Sequence, residues 1–130
     1  MKTLVVNYSK TGNSRKVAEA VIKELDCDYG EILYDEETKT LQKSPDPSGY
    51  ERVILICPIW AFSLAEPMKI YINKQKGNID NYDLIVTYSL FGLRGCVNNC
   101  KAAIGKPPGK ALKIKSKDIK AGNFDITAAL

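Results

Sequence analysis

Histidine is absent from the 130 residues of this chain, so the side chain that most often moves protons in enzymes and commonly binds zinc is missing. The four cysteines are dispersed and none has C-x-x-C spacing, which argues against a disulfide framework and excludes a zinc finger. A Ser-His-Asp triad is excluded as well. If the protein is an enzyme, a cofactor is therefore expected to supply its chemistry.

Long hydrophobic runs are also missing. No segment approaches the roughly 18 consecutive apolar residues of a membrane span, and the short apolar run near the N-terminus leads into a polar turn instead of a signal-peptide pattern. A chain of 130 residues can build one sizeable core but not two. We therefore predict a single domain over residues 1–130, cytoplasmic and without a membrane span.

Acidic residues are scarce towards the C-terminus: residues 101–130 contain 7 lysines and 2 aspartates in a chain of net charge +4. A basic segment can indicate nucleic-acid binding. Here, however, Lys113 and Lys115 alternate with Leu112 and Ile114, which is the pattern of a strand with one solvent-facing side. We predict no nucleic-acid partner.

A polar turn stands between the first apolar run and an amphipathic segment, so it joins a strand to a helix. The first amides of a helix lack internal partners and carry partial positive charge, and three hydroxyls add donors, so a phosphate is the expected occupant. One helix cap would need one such residue, whereas most positions here are short and polar. The spacing matches neither G-x-G-x-x-G nor a P-loop. The turn consists of Ser9, Lys10, Thr11, Gly12, Asn13 and Ser14.

Apolar runs alternate with helical patterns along the rest of the chain, which predicts a parallel sheet with helices on both faces. Continuous apolar runs in the first, third and fourth strands indicate central positions, while the second and fifth alternate like edge strands. We predict an α/β, three-layer, doubly wound sandwich with a five-stranded parallel sheet of order 2-1-3-4-5 and a fifth helix that is short or absent. The predicted strands lie near 2–8, 29–34, 53–57 (ended by Pro58), 84–89 and 110–116, with a solvent loop over 35–49 and helices near 13–25, 67–76 and 96–104.

The loops after the first, third and fourth strands should meet at the carboxyl edge of this sheet. The second of these loops carries Trp60 and Phe62. The third carries Phe91, followed by Gly92 and Gly95, whose backbone amides could approach a ring edge. Together with a phosphate on the first loop, this suits a flat aromatic ring attached to one phosphate. Alternatively, Trp60 covers the core or faces a partner protein.

These motifs resemble the flavodoxin family over nearly the whole chain. The family's phosphate motif [ST]-x-T-G-x-[ST] matches residues 9–14, and its Pro-hydrophobic-Trp loop matches residues 58–60, while the third loop, residues 89–95, matches in position and glycine content only. The resemblance implies non-covalent FMN and one- or two-electron transfer. The implied cofactor-binding residues are Ser9, Lys10, Thr11, Gly12, Asn13, Ser14, Pro58, Ile59, Trp60, Ala61, Phe62, Ser89, Leu90, Phe91, Gly92, Arg94 and Gly95.

Two departures from the family favour two-electron chemistry. Ala61 stands where one-electron flavodoxins usually have the glycine of a peptide that flips to positive φ, which costs about 1 kcal/mol more for Ala. Lys10 and Arg94 add positive charge to loops that are acidic in those proteins. We predict an FMN protein that passes electrons to a redox partner protein or reduces a small quinone-like acceptor. The alternative is a flavodoxin-fold binding or regulatory module for a phosphorylated ligand, without flavin.

After the fifth strand, the remaining residues allow little more than one helical turn. Either the domain is a trimmed version of the fold, or a second subunit covers one sheet face in a homodimer. Cys96 and Cys100 lie one helical turn apart beside the third loop and could form a redox pair. Both fall on an apolar helix stripe, which favours buried packing.

Overall fold

The computed structural model describes residues 2–130, and within that range a parallel sheet of five strands forms the centre of the molecule in the order β2-β1-β5-β7-β8. This confirms the predicted order. A two-residue strand, β6, pairs antiparallel with the end of β5, and β3 pairs antiparallel with β4 in a separate hairpin. The strands are β1 Thr3–Asn7, β2 Asp28–Glu31, β3 Leu33–Asp35, β4 Thr40–Lys43, β5 Arg52–Trp60, β6 Ser63–Leu64, β7 Tyr82–Tyr88 and β8 Ala111–Lys115.

Helices cover both faces of the sheet and complete the predicted three layers. One apolar cluster joins the sheet to α2 and α3 and includes Leu55, Met68 and Cys100. The other joins it to α1 and α4 and includes Ile54 and Val17. The helices are α1 Asn13–Glu24, α2 Glu66–Gln75, α3 Leu93–Ile104 and α4 Ser116–Lys120, with single 3₁₀ turns at Lys76–Asn78 and Thr127–Ala129. No helix in residues 2–130 combines the length and the apolar character needed to cross a membrane.

The central strands are buried on both faces because helices cover both faces, which is why their sequences read as unbroken apolar runs. The middle of β5, residues 53–57, is fully buried, whereas buried and accessible residues mix along β8 at the edge. In the β1–β5 register Asn7 lies opposite Ile56, and in the β5–β7 register Pro58 lies opposite Thr87. The carboxyl ends of β1, β5 and β7 therefore meet at one edge, as predicted.

Three parts of the sequence prediction were wrong. The predicted strand over 29–34 is divided, because β2 ends at Glu31 and β3 belongs to the separate hairpin with β4. Pro58 does not end its strand: β5 continues to Trp60, because residues 59 and 60 pair antiparallel with β6 after a tight turn. The stretch 35–49 is not merely a solvent loop, because β4 turns back on β3. The Asp35 carboxylate accepts hydrogen bonds from the amides of Glu37 and Thr38 and so closes this turn. The β3–β4 hairpin is largely exposed and its side chains are mostly polar, so the sequence shows no apolar alternation that would have predicted it.

The last residues cover the sheet face next to α1. Ile119 in α4, together with Ile126 and Ala129 further on, is buried in the second apolar cluster. The tail therefore packs on the sheet face where the sequence predicted a short or absent fifth helix. The homodimer stays a prediction.

Candidate functional site

The first loop turns directly into α1. Gly12 adopts φ 97°, which glycine tolerates and other residues rarely adopt, and its amide donates to Ser9 Oγ at 3.0 Å. Helix α1 begins at Asn13, and among the described residues no side chain caps its first amides. These amides therefore point at the carboxyl edge of the sheet without side-chain partners, which is the arrangement that binds anions.

The other end of the motif is tied to the sheet. Ser14 is buried, and its Oγ lies 3.1 Å from Thr87 Oγ1 in β7. This hydrogen bond fixes the start of α1 relative to the strand that leads into the third loop. Thr11, in contrast, is exposed, so its hydroxyl is free to meet a ligand.

Lys10 has a partner that the sequence did not reveal. Its Nζ lies 2.9 Å from a Glu36 carboxylate oxygen, and this hydrogen-bonded carboxylate raises the pKa of Lys10. The predicted positive charge at this loop is therefore partly neutralised by the β3–β4 turn, which corrects the sequence-based charge argument. Its Nζ also lies 5.6 Å from the centroid of the Trp60 ring.

Trp60 lies between the first loop and the core. Its ring meets Tyr8 edge-on at 5.6 Å with an interplanar angle of 88°, and it is only half-buried. One side of the Trp60 ring packs on the first apolar cluster, as the core-covering alternative predicts, and the rest remains accessible. Through Lys10 and Tyr8 it brings the first and second loops together.

Strain is concentrated in the second loop. Trp60 pairs with Ser63, so Ala61 and Phe62 form a two-residue hairpin turn, with φ 49° and 66°. A turn with two positive φ values is usually built from Asn and Gly. For other residues this conformation costs roughly 1–2 kcal/mol each. Ala61 thus already holds the positive φ that the family comparison associates with glycine.

The third loop packs directly onto this strained turn. A Cβ on Gly95, in the first turn of α3, would lie 2.0 Å from the Phe62 carbonyl oxygen, and one on Gly92 would lie 2.8 Å from Phe62 Cα. The two glycines are therefore required by loop–loop packing, whatever else they contact. The Phe62 and Phe91 rings stack at 5.1 Å and 27°, although both are largely exposed.

Three polar residues at the carboxyl edge were missed. Besides Thr87 and Tyr8, they include Asn7, whose fully buried amide nitrogen lies 3.3 Å from the Tyr29 hydroxyl. Within residues 2–130, Asn7 Oδ1 has no hydrogen-bond partner. Their position at the ends of central strands was the available signal, because ligands of such sheets bind there.

Four ionisable side chains of the first apolar cluster, Tyr8, Cys57, Cys96 and Cys100, stay protonated at neutral pH. Burial, assisted by the Glu36 carboxylate, raises the pKa of Tyr8. Burial also raises the pKa of Cys96 and Cys100 to about 12 and that of Cys57 well above its usual value. These thiols are enclosed in the first apolar cluster. Their burial favours the packing interpretation over a redox pair.

The three predicted loops lie at one edge of the sheet. No cluster of potential metal ligands occurs in the described residues 2–130. The first and second loops meet at Trp60, and the second and third meet at Phe62. Of the predicted cofactor-binding residues, Ser14 alone is buried. The half-buried ones are Ser9, Gly12, Asn13, Pro58, Ile59, Trp60, Gly92 and Gly95, and the exposed ones are Lys10, Thr11, Ala61, Phe62, Ser89, Leu90, Phe91 and Arg94.

The chain matches no protein-family model and no curated protein sequence. It is similar in structure to a flavoprotein from Lactobacillus acidophilus solved in complex with FMN, with a TM-score of 0.76 and 18% identity over 92% of this chain and 97% of that one. A putative flavoprotein from Bacteroides eggerthii gives a TM-score of 0.72 at 16% identity, covering 93% and 94%. Oxidised flavodoxin 1 from Bacillus cereus gives 0.55 at 17% identity, covering 93% and 91%. The chain therefore has the flavodoxin-like fold.

Proposed function

We propose that this protein binds FMN non-covalently at the carboxyl edge of its sheet and works as a flavin-dependent oxidoreductase. The observation that carries the proposal is the uncapped start of α1, which presents free amides beside the exposed Thr11 hydroxyl. A flavoprotein of similar fold has been solved in complex with FMN. Bound FMN would supply hydride or electron transfer. The residues of this chain would bind, orient and shield it.

The phosphate group of FMN would fit the first loop, residues 9–14, in charge and geometry. The first-turn amides of α1 and the exposed Thr11 hydroxyl are available donors, and Gly12 leaves open space where a side chain would stand. Ser9 shapes the loop by accepting from the Gly12 amide. Asn7 Oδ1 offers a buried acceptor at the adjoining strand end, which a ligand hydroxyl could satisfy.

The ring end has an aromatic wall. Trp60 is half-buried beside the first loop, with Lys10 Nζ 5.6 Å from its ring centroid, so a ring attached to the phosphate could lie against its accessible surface. The Phe62–Phe91 stack closes the direct gap between the second and third loops. Binding of a ring between these loops therefore requires the two phenylalanines to separate.

The favoured chemistry is two-electron reduction of a quinone-like acceptor. Arg94 keeps a positive charge beside the third loop, which favours an anionic reduced ring, while Lys10 contributes less because Glu36 partly neutralises it. Transfer to a redox partner protein remains the other form of the same proposal. A potentiometric titration distinguishes them: one two-electron step is expected, and two resolved one-electron steps would indicate an electron carrier.

Titration with FMN and with riboflavin tests the cofactor proposal. Both have the same ring, so the phosphate loop should make FMN bind at least ten-fold more tightly than riboflavin. Thr11→Val should reduce this preference, whereas Thr38→Val in the exposed β3–β4 turn serves as a matched control and should leave it unchanged. A chain that binds neither compound, measured by flavin fluorescence, contradicts the proposal.

The second candidate is a module that binds another phosphorylated ligand without flavin. The Phe62–Phe91 stack favours it, because in this arrangement the two loops leave no slot between them for a flat ring. Under this alternative, inorganic phosphate should bind to the chain and Thr11→Val should weaken it, while the purified protein remains colourless and FMN binds no better than phosphate.

A further inference from the structure

A cavity of about 380 Å³ lies beside the third loop, on the α3 side of the sheet. Four of its lining residues, Ile59, Phe91, Gly92 and Arg94, also belong to the predicted FMN-binding set. Its walls come from the ends of β5 and β7, from the middle of β8, from the third loop and from the first residues of α3. Its volume falls within the range of small-molecule sites, which starts at about 300 Å³. No residue of the phosphate loop, 9–14, lines it.

Two cations line this cavity and no acid does, within the part of the chain that the structure describes. They are Arg94 in the first turn of α3 and Lys113 on β8. Neither forms an ion pair with a described residue, whereas Lys10, Arg15, Arg52 and Lys106 all do. The positive charge of the cavity is therefore uncompensated by the protein itself, and an anion is the complementary occupant.

The remaining walls are apolar or aromatic. Ile59 and Leu93 provide aliphatic surface, and the Tyr88 and Phe91 rings provide flat surface. Lys113 Nζ lies 5.7 Å from the Tyr88 ring centroid, so one cation already stands over an aromatic wall. A bare inorganic anion would leave this apolar surface exposed to water, whereas a ring that carries an anionic group would cover it.

We infer that this cavity binds a planar aromatic anion, a carboxylate or sulfonate on two or three fused rings. The acidic group pairs with Arg94 and Lys113, and the rings contact Ile59, Tyr88 and Phe91. The site is distinct from the phosphate loop and exists without flavin. A role for this ligand as the electron acceptor rests on the proposed FMN function, whereas its binding does not.

Binding of naphthalene-2-carboxylate, compared with its neutral isostere naphthalene-2-carboxamide, tests the inference. On the purified full chain, chemical-shift perturbation should give at least ten-fold tighter binding for the carboxylate, with shifts centred on residues 88–94 and 113. Lys113→Gln should remove most of that preference and Arg94→Gln should do the same. Lys120→Gln removes an equal charge on the opposite, α1 side of the sheet, where Lys120 lines a different cavity, and should leave the preference intact.

The same titration in the presence of saturating FMN separates this inference from the cofactor proposal. The inference requires the carboxylate to bind equally well with and without FMN; direct competition between the two would overturn it by showing that the cavity belongs to the flavin site. Equal affinity for the carboxylate and the carboxamide, or equal effects of the Lys113 and Lys120 variants, would also overturn it. A chain that ignores FMN but binds the carboxylate contradicts only the cofactor proposal.

Discussion

The two edges of the sheet differ in how their polar groups are paired. At the amino edge, Arg52 contacts the Asp83 carboxylate at 2.6 Å and donates to the Ala129 carbonyl oxygen, while the second oxygen of Asp83 accepts from the Lys110 amide at 2.9 Å. Arg52 and Asp83 each have partners from another part of the chain. This edge fastens β5, β7, β8 and the tail together.

At the carboxyl edge, the chain holds strain and leaves groups without partners. The turn at Ala61 and Phe62 has two positive φ values, Asn7 Oδ1 is buried without a partner among the described residues, and the start of α1 is uncapped. Such features destabilise a fold and persist where the surrounding structure enforces them, commonly at functional sites. The comparison teaches that the amino edge stabilises the domain, while the carboxyl edge has the features that the proposed FMN site would use.

The largest effect on the free energy of unfolding is expected from Asp83→Ala at the amino edge. It leaves Arg52 mostly buried without its carboxylate and removes the acceptor of the Lys110 amide, so the free energy of unfolding should fall by about 3 kcal/mol. Urea denaturation measures this. Asp80→Ala breaks only the exposed pair with Lys106 and is the matched control. Equal losses for the two variants would contradict the assigned role of this edge.

The next largest effect is expected from Gly95→Ala at the carboxyl edge. The new Cβ would overlap the Phe62 carbonyl oxygen, so α3 or the strained turn must move, at a cost of about 2 kcal/mol. Gly77→Ala, where a Cβ meets nothing within 4 Å, serves as the control. If denaturant midpoints show no difference between the two, the loop–loop contact is not rigid.

Ala61→Gly, unlike the two preceding substitutions, should stabilise the protein. Glycine adopts the positive φ of this turn without strain, so relief of that strain should outweigh the added unfolded-state entropy and raise the free energy of unfolding by about 0.5–1 kcal/mol. Thermal denaturation of this variant beside Ala65→Gly, a buried position outside the turn, gives the comparison. A destabilised Ala61→Gly protein would show that the turn carries no strain.

The smallest effect concerns the buried thiols between the two edges. Because burial raises the pKa of Cys96 and Cys100 from 9.0 to about 12, their stabilising contribution is complete below pH 9 and is lost as the pH rises towards 12. Raising the pH from 7 to 9 should cost about 0.4 kcal/mol per thiol. A Cys96→Ala/Cys100→Ala variant should show a shallower decline, and an identical pH profile would contradict this assignment.

Apolar patterning was sufficient to predict the sheet order and the edge where the loops meet. The buried run in β5 and the alternation around Lys113 both depend on local side chains that face a core or solvent. The strand–helix junction at residues 9–14 was also predicted, and the phosphate binding proposed for it depends on backbone amides that follow directly from such a junction.

Long-range contacts could not be predicted in this way. Glu36 reaches Lys10 only after an exposed hairpin folds back, and Gly95 meets Phe62 only once two loops pack together. The extension of β5 through Pro58 likewise depends on β6 folding back in an antiparallel turn. Each of these depends on tertiary structure overriding a local signal.

The lysines of β8 have a consequence for how the protein behaves in a crowded solution. This strand ends the sheet on one side and exposes Lys113 and Lys115, so two copies meeting edge to edge would bring like charges together. Repulsion between them discourages the continuous intermolecular sheets from which fibrous aggregates grow. Salt screens this protection within about 10 Å at 0.1 M, so the protein's colloidal stability should decline as ionic strength rises.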